Sequence, residues 1–115
     1  MTFTDVADMI EEIGLPFSYY QFNDGTGVAP PFICFFYGGS NDLYADDSNY
    51  QKIETLYIEL YSDQKDFTLE GSVETVLKSH GMTWTREETW IDSERMYEVV
   101  YTMEVVITEE NENNG

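Results

Sequence analysis

Few side chains that do covalent or metal chemistry occur in this chain of 115 residues, which has one histidine, His80, and one cysteine, Cys34. A structural zinc site needs about four such ligands, and a catalytic cysteine needs a base beside it. We interpret His80 as a complement to the negative end of a helix dipole and Cys34 as a small buried apolar residue. Neither a Gly-rich phosphate loop nor a G-x-S-x-G turn occurs. We therefore expect no enzyme, no catalytic residue and no cofactor.

Carboxylates are the abundant reactive group, since 23 acidic residues stand against 5 basic ones and the formal net charge is −18. At that density carboxylate pairs arise by chance, so a pair alone does not indicate a glycosidase. Three of the acids, Asp42, Asp46 and Asp47, fall in a polar stretch, Gly38–Gln51, that we predict to be a loop. Their spacing does not match the ligand pattern of an EF-hand. This favours a solvated loop, or an arm that contacts another subunit, over a metal site.

The bulk composition indicates a folded acidic protein. Hydrophobic residues make up 42% of the chain and aromatic residues 16%, which excludes a disordered chain, and an excess of tyrosine favours protein–protein contacts. The charge disfavours specific nucleic-acid binding. It suits a solvated surface, a basic partner, cations, or a wall from which DNA must be kept away. With neither a signal-peptide pattern nor an apolar run that approaches a membrane span, we expect no membrane contact and a reducing compartment.

Hydrophobic periodicity predicts the elements that must position these groups. The centre of the pattern is a strand over Ile53–Tyr61, which alternates strictly, followed by a helix that ends at Gly81. Phe32–Tyr37 is apolar at every position, which predicts a central strand covered on both faces. The remaining predicted elements are a helix over Thr4–Ile13 and strands over Phe17–Phe22, Met82–Ile91 and Glu94–Ile107.

The element order is therefore α-β-β-β-α-β-β, which favours an α+β two-layer sandwich with a mostly antiparallel sheet and both helices on one face. We expect a single domain over 1–107 and a disordered acidic tail over 108–115. The sheet face opposite the helices should carry Tyr57, Glu59, Tyr61, Thr83, Thr85, Glu87, Thr89, Glu98, Thr102 and Glu104.

Four blocks, spread over most of the chain from Leu15 to Val105, resemble a known group of proteins. The blocks are LPFSYYQF, PPFICFFYGGSNDLYADDSNY, IELYSDQKDFTLEGSVETVL and ETWIDSERMYEVVYTMEV. In order and extent they resemble small structural proteins encoded by prophages of Gram-positive bacteria, which are similar to the tail-completion (tail terminator) proteins of long-tailed siphophages. The pieces that match best are Ala45-Asp46, Glu59-Leu60-Tyr61 with Lys65-Asp66, and Trp90-Ile91 followed by Glu94.

This resemblance implies a virion structural protein with an α+β fold. It implies a homo-oligomeric ring, with six as the expected number of subunits, that ends the tail tube and joins it to the head connector. The protein would be made in the cytoplasm of the bacterial host and would reside in the virion tail. The resemblance carries over no catalytic residue and no residue-level binding motif.

Two groups of residues are our candidates for these contacts. The candidate subunit-interface residues are Asp42, Tyr44, Asp46, Asp47, Tyr50, Tyr57 and Tyr61. The candidate channel-facing residues, whose carboxylates would repel passing DNA, are Glu59, Glu87, Glu98 and Glu104. Two alternatives stay open on the sequence: an acidic DNA-mimic inhibitor of a nucleic-acid enzyme, and a head-side connector or minor capsid protein.

Overall fold

A computed structural model describes residues 1–21, 28–40, 43–45 and 49–108 of the chain. The helices and strands, in chain order, are α1 (Phe3–Glu11), β1 (Phe17–Tyr19), β2 (Phe32–Ser40), β3 (Leu43–Ala45), β4 (Asn49–Ser62), α2 (Phe67–Ser79), β5 (Thr85–Ile91) and β6 (Met96–Ile107). The predicted order α-β-β-β-α-β-β is confirmed, with the short strand β3 as an addition. The predicted disordered tail lies outside the described residues from position 109 onward, as does the end of the strand predicted over Phe17–Phe22.

The sheet has the strand order β1-β2-β4-β6-β5, and β3 pairs with β4 beside this path. Strand β1 runs parallel to β2, whereas the other neighbouring strands are antiparallel, which confirms a mostly antiparallel sheet. The pairing of β4 with β6 extends from Lys52 opposite Ile107 to Ser62 opposite Tyr97. These two long strands form the middle of the sheet and fix the register of its remaining members.

Alternation along β4 decides which face is the core. Leu56, Ile58 and Leu60 are buried because every second residue of a strand points to the same side. They belong to one hydrophobic cluster with Val6, Met9 and Ile10 of α1 and with Val73 and Leu77 of α2. Both helices therefore cover the same face of the sheet, as predicted, and the opposite face is left for other contacts.

Local signals set the bounds of α2 between β4 and β5. The Asp66 side chain accepts a hydrogen bond from the Leu69 backbone N–H at 2.9 Å, which caps the start of the helix. The helix ends before Gly81, whose φ of +76° is the left-handed conformation that glycine adopts most readily. The helix thus returns the chain alongside β4, and β5 begins at Thr85, level with Thr102 of β6 and Tyr57 of β4.

The structure corrects two predictions about β2 and the segment that follows it. The prediction of a loop over Gly38–Gln51 is wrong for the residues that the structure describes. Strand β2 continues to Ser40, and β3 pairs with the first residues of β4. A polar composition predicts a loop here, but Leu43, Tyr44 and Tyr50 have the β propensity that a hairpin requires. Strand β2 does lie inside the sheet, yet the helices cover only one of its faces.

Candidate functional site

The candidate functional site is the sheet face that points away from both helices, which we call the open face. Residues that stand opposite each other in neighbouring strands share a face, so the register assigns its members. They are Phe32, Cys34 and Phe36 of β2, Tyr57, Glu59 and Tyr61 of β4, Glu98, Val100, Thr102 and Glu104 of β6, and Thr85, Glu87 and Thr89 of β5. The ten residues predicted for this face all lie there or, in the case of Thr83, directly before β5.

Stacked aromatic rings cover the β2–β4 part of the open face. The Phe36 and Tyr57 rings stack with their centroids 5.0 Å apart at an interplanar angle of 19°, and the Phe32 and Tyr61 rings stack at 5.1 Å and 27°. The Tyr57 ring also lies over Gly38, where a Cβ atom would come within 2.9 Å of Tyr57 Cδ2 and still closer to its neighbour in the ring. Glycine at this position lets the Tyr57 ring lie flat against the sheet.

Two carboxylates, those of Glu59 and Glu98, lie beside the stacked rings, and we call them the carboxylate pair. Both contact the hydroxyl group of Tyr61. Tyr61 Oη lies 2.9 Å from Glu59 Oε1 and 2.9 Å from Glu98 Oε2. Because a phenol has a single proton, it can donate to only one of the two carboxylates at a time. Burial raises the pKa of Glu59, the Tyr61 hydrogen bond opposes this, and the nearby Glu98 carboxylate raises it further. Burial and the same two carboxylates raise the pKa of Tyr61, which keeps its hydroxyl a donor.

The open face carries no lysine or arginine among the described residues. Two of the five basic residues, Lys65 and Arg86, contact Glu70 of α2 on the helix side of the sheet. Lys52 pairs with Glu54 at 3.8 Å on the same side. Among the described residues, Glu59 and Glu98 have no basic partner of the kind that Glu70 has on the helix side.

The structure brings together residues that the sequence analysis had divided into two groups. Tyr57 and Tyr61, predicted for a subunit interface, share the open face with Glu59, Glu87, Glu98 and Glu104, predicted for a channel. Among these, Tyr61 contacts Glu59 and Glu98 directly, whereas Glu87 and Glu104 are exposed. Tyr44 and Tyr50 stand opposite each other in the pairing of β3 with β4. Asp42, Asp46 and Asp47 lie outside the described residues.

The sequence analysis did not assign four members of the open face, Phe32, Cys34, Phe36 and Val100, and it also missed the role of Gly38 beneath the Tyr57 ring. A strand that is apolar at every position gives no period from which to assign faces, so neither phenylalanine could be placed. Gly38 carried the one usable signal, because a glycine inside a strand often marks a close approach by another group.

The two residues considered for catalysis lie on opposite sides of the sheet. Cys34 is 5% exposed and stands opposite Glu59 on the open face. His80 is the C-terminal cap residue of α2, and its Nε2 lies 3.0 Å from Glu12 Oε2, beyond the end of α1. In the described part of the chain, no three His, Cys, Asp or Glu side chains are grouped so as to hold a metal ion. Neither described helix is long and apolar enough to cross a membrane.

Comparison with known proteins gives one finding about the fold. No protein-family model matches the chain, and no curated protein matches it. Among solved structures, a chain of the virion of a native gene transfer agent (GTA) particle is similar, with a TM-score of 0.56 and 10% sequence identity. The alignment covers 88% of this chain and 84% of that one. At this identity, the similarity shows a shared fold.

Proposed function

We propose that this protein is a virion structural protein of a tailed phage or phage-like particle, and that it acts as a tail terminator. The observation that carries the proposal is the shared fold with a virion chain of a gene transfer agent particle, which extends over most of both chains. The resemblance of four sequence blocks to tail-completion proteins supports the finer assignment. In this role the protein forms a homo-oligomeric ring, of six subunits on that resemblance, which stops growth of the tail tube and presents a surface to the head connector.

Two surfaces serve this role. Strand β3 and the first residues of β4 pair beyond the rung at which β6 ends, and they belong to the segment Gly38–Gln51, which in this proposal reaches a neighbouring subunit. The part of the open face that carries the exposed Glu87 of β5 and Glu104 of β6 borders the channel, with both carboxylates directed toward it. Fixed carboxylates repel phosphates and keep DNA from adhering to the wall as it passes.

Electron microscopy of particles from a host that lacks this gene tests the proposal. A terminator predicts full heads beside unjoined or overlong tails, and normal particles when the gene is supplied again. Normal particles in the deletion strain refute a virion role. Heads that fail to retain DNA, beside tails of normal length, identify a head-side connector instead.

An acidic inhibitor that mimics DNA is the rival to exclude, because dense carboxylates also imitate phosphates. The stacked aromatic rings among the acids of the open face argue against it, since a DNA mimic needs charge rather than fixed apolar area at its contact surface. Capture of a nuclease, restriction or repair enzyme by the purified protein, with loss of DNA binding by that enzyme, would replace the terminator proposal.

A further inference from the structure

We propose that the part of the open face around Glu59, Tyr61 and Glu98 is the contact between neighbouring copies of this chain, and that Arg95 of one copy inserts between Glu59 and Glu98 of the next. This inference rests on the ring of the proposed function and names the residues that build it. The partner is a second copy, and the argument for it is charge complementarity within this one sequence.

The first step is the uncompensated charge of Glu59 and Glu98. Tyr61 can satisfy only one member of the carboxylate pair at a time, although both carboxylates lie within 2.9 Å of its hydroxyl. Two adjacent half-buried carboxylates repel each other, and a cation between them removes that repulsion. A guanidinium group fits this geometry because its planar fork can donate to two carboxylates at once.

The second step identifies the cation. Lys52, Lys65 and Arg86 are engaged in ion pairs on the helix side of the sheet. The remaining two basic residues of the chain, Lys78 and Arg95, have exposed side chains with no ion pair among the described residues. These two side chains are therefore our candidates for the cation that reaches a neighbouring copy.

Position in the fold distinguishes Arg95 from Lys78. Arg95 closes the turn between β5 and β6, at the end of the sheet where Tyr61 stands opposite Glu98. Lys78 lies at the far end of α2, close to where β5 begins. Copies in a ring are related by rotation without translation along the ring axis. When the strands run along that axis, a residue meets groups at its own end of the sheet in the neighbouring copy.

The backbone at Arg95 is a third, independent observation. Its φ is +54°, a left-handed conformation in which glycine or asparagine is far more common than arginine. The turn itself would be easier to form with glycine at this position. Arginine therefore gives this turn no local advantage over glycine.

Three charge-reversed variants test the contact: Arg95→Glu, Glu98→Arg and, as the matched control, Lys78→Glu. Association is measured by sedimentation velocity in about 0.15 M salt, where repulsion beyond about 8 Å is screened. We expect Arg95→Glu and Glu98→Arg each to weaken association at least about tenfold, since like charges then meet across the interface. Lys78→Glu, which changes the net charge as much as Arg95→Glu, should leave association within about twofold of the wild type.

Mixing the two reversed variants gives the decisive result. An equimolar mixture of Arg95→Glu and Glu98→Arg places an attractive pair at every contact between unlike copies, so we expect association to recover. No pairing within one chain can produce that recovery. The proposed Arg95 contact is refuted if Arg95→Glu weakens association no more than Lys78→Glu does, or if association does not recover in the mixture. Either result leaves the proposed ring and virion role standing. A wild type that stays monomeric up to about 1 mM overturns the contact, and the micrographs of the deletion strain then decide the virion role separately.

Discussion

Replacement of Glu70 by glutamine is the sharpest test of how the helix layer is held against the sheet. Glu70 is a charged residue of α2 that is only 3% exposed. Its carboxylate accepts hydrogen bonds from Lys65 Nζ at 2.7 Å and from Arg86 Nη1 at 2.5 Å. One carboxylate therefore ties together the segment before α2, the helix itself and strand β5.

The expected loss follows from what Glu70→Gln leaves behind. Removal of one partner from a buried ion pair costs about 3–5 kcal/mol, because the other charge stays buried without compensation. Here Lys65 keeps its contact with Glu88, and the Arg86 side chain is 40% exposed and lies 3.9 Å from Glu74. We therefore expect the lower end, about 3 kcal/mol in the free energy of unfolding. For a chain of this length that is a fall in Tm on the order of 10 °C.

Glu88→Gln is the matched control, because Glu88 also contacts Lys65 but its side chain is 35% exposed. An exposed ion pair contributes about 0–1 kcal/mol, so this variant should lie close to the wild type. Both variants are measured by urea unfolding followed by far-ultraviolet circular dichroism, with thermal unfolding alongside. If Glu70→Gln loses no more stability than Glu88→Gln, burial of the carboxylate does not control its contribution and the reasoning fails.

Three further predictions concern single residues. Gly38→Ala should lower the free energy of unfolding by about 1–3 kcal/mol, because the added Cβ displaces the Tyr57 ring. In a Tyr57→Ala background the same substitution should have almost no effect. If urea unfolding shows that the two losses simply add, the contact between Gly38 and Tyr57 is contradicted. Glu59 has a raised pKa in the folded state, so the protein loses stability as the pH rises through that pKa. Glu59→Gln should therefore gain in Tm relative to the wild type between about pH 4 and pH 7, whereas the exposed control Glu87→Gln should not; a Tm difference that stays constant with pH would refute this sign. Asp66→Ala removes the N-terminal cap of α2 and should lower the free energy of unfolding by about 1 kcal/mol. An unchanged midpoint of urea unfolding would show that this cap does not stabilise the helix.

The parts of the fold that the sequence predicts well depend on local signals. Asp66 and Gly81 bound α2 because a side-chain oxygen can cap the first turn and a glycine can adopt a positive φ at the end. The alternation over Ile53–Tyr61 identifies the buried face of β4 because a strand has a strict period of two. Each of these features is decided by residues a few positions apart, so one sequence is enough to predict it.

The parts that the sequence does not predict depend on residues brought together from a distance. Glu70 has the pattern of an ordinary acid in the first turn of a helix, and its burial follows only when Lys65 and Arg86 are placed around it. Tyr61 and Glu98 are likewise 37 positions apart in the chain, so no local pattern indicates that Glu98 shares the Tyr61 hydroxyl with Glu59. The division of the site into interface tyrosines and channel glutamates could not account for that contact.

The distribution of charge over the two sides of the sheet limits which partner the open face can bind. On the helix side, Glu70 is buried with two cations beside it, so its charge is compensated within the chain. On the open face, Glu59 is half-buried beside Glu98, and no described cation lies on that face. A neutral partner that covered Glu59 would remove more water from it and would force it to take up a proton or remain charged at a large cost. A partner that brings a guanidinium or ammonium group removes that cost, so we expect Glu59 and Glu98 to favour a basic partner over a neutral one of the same shape.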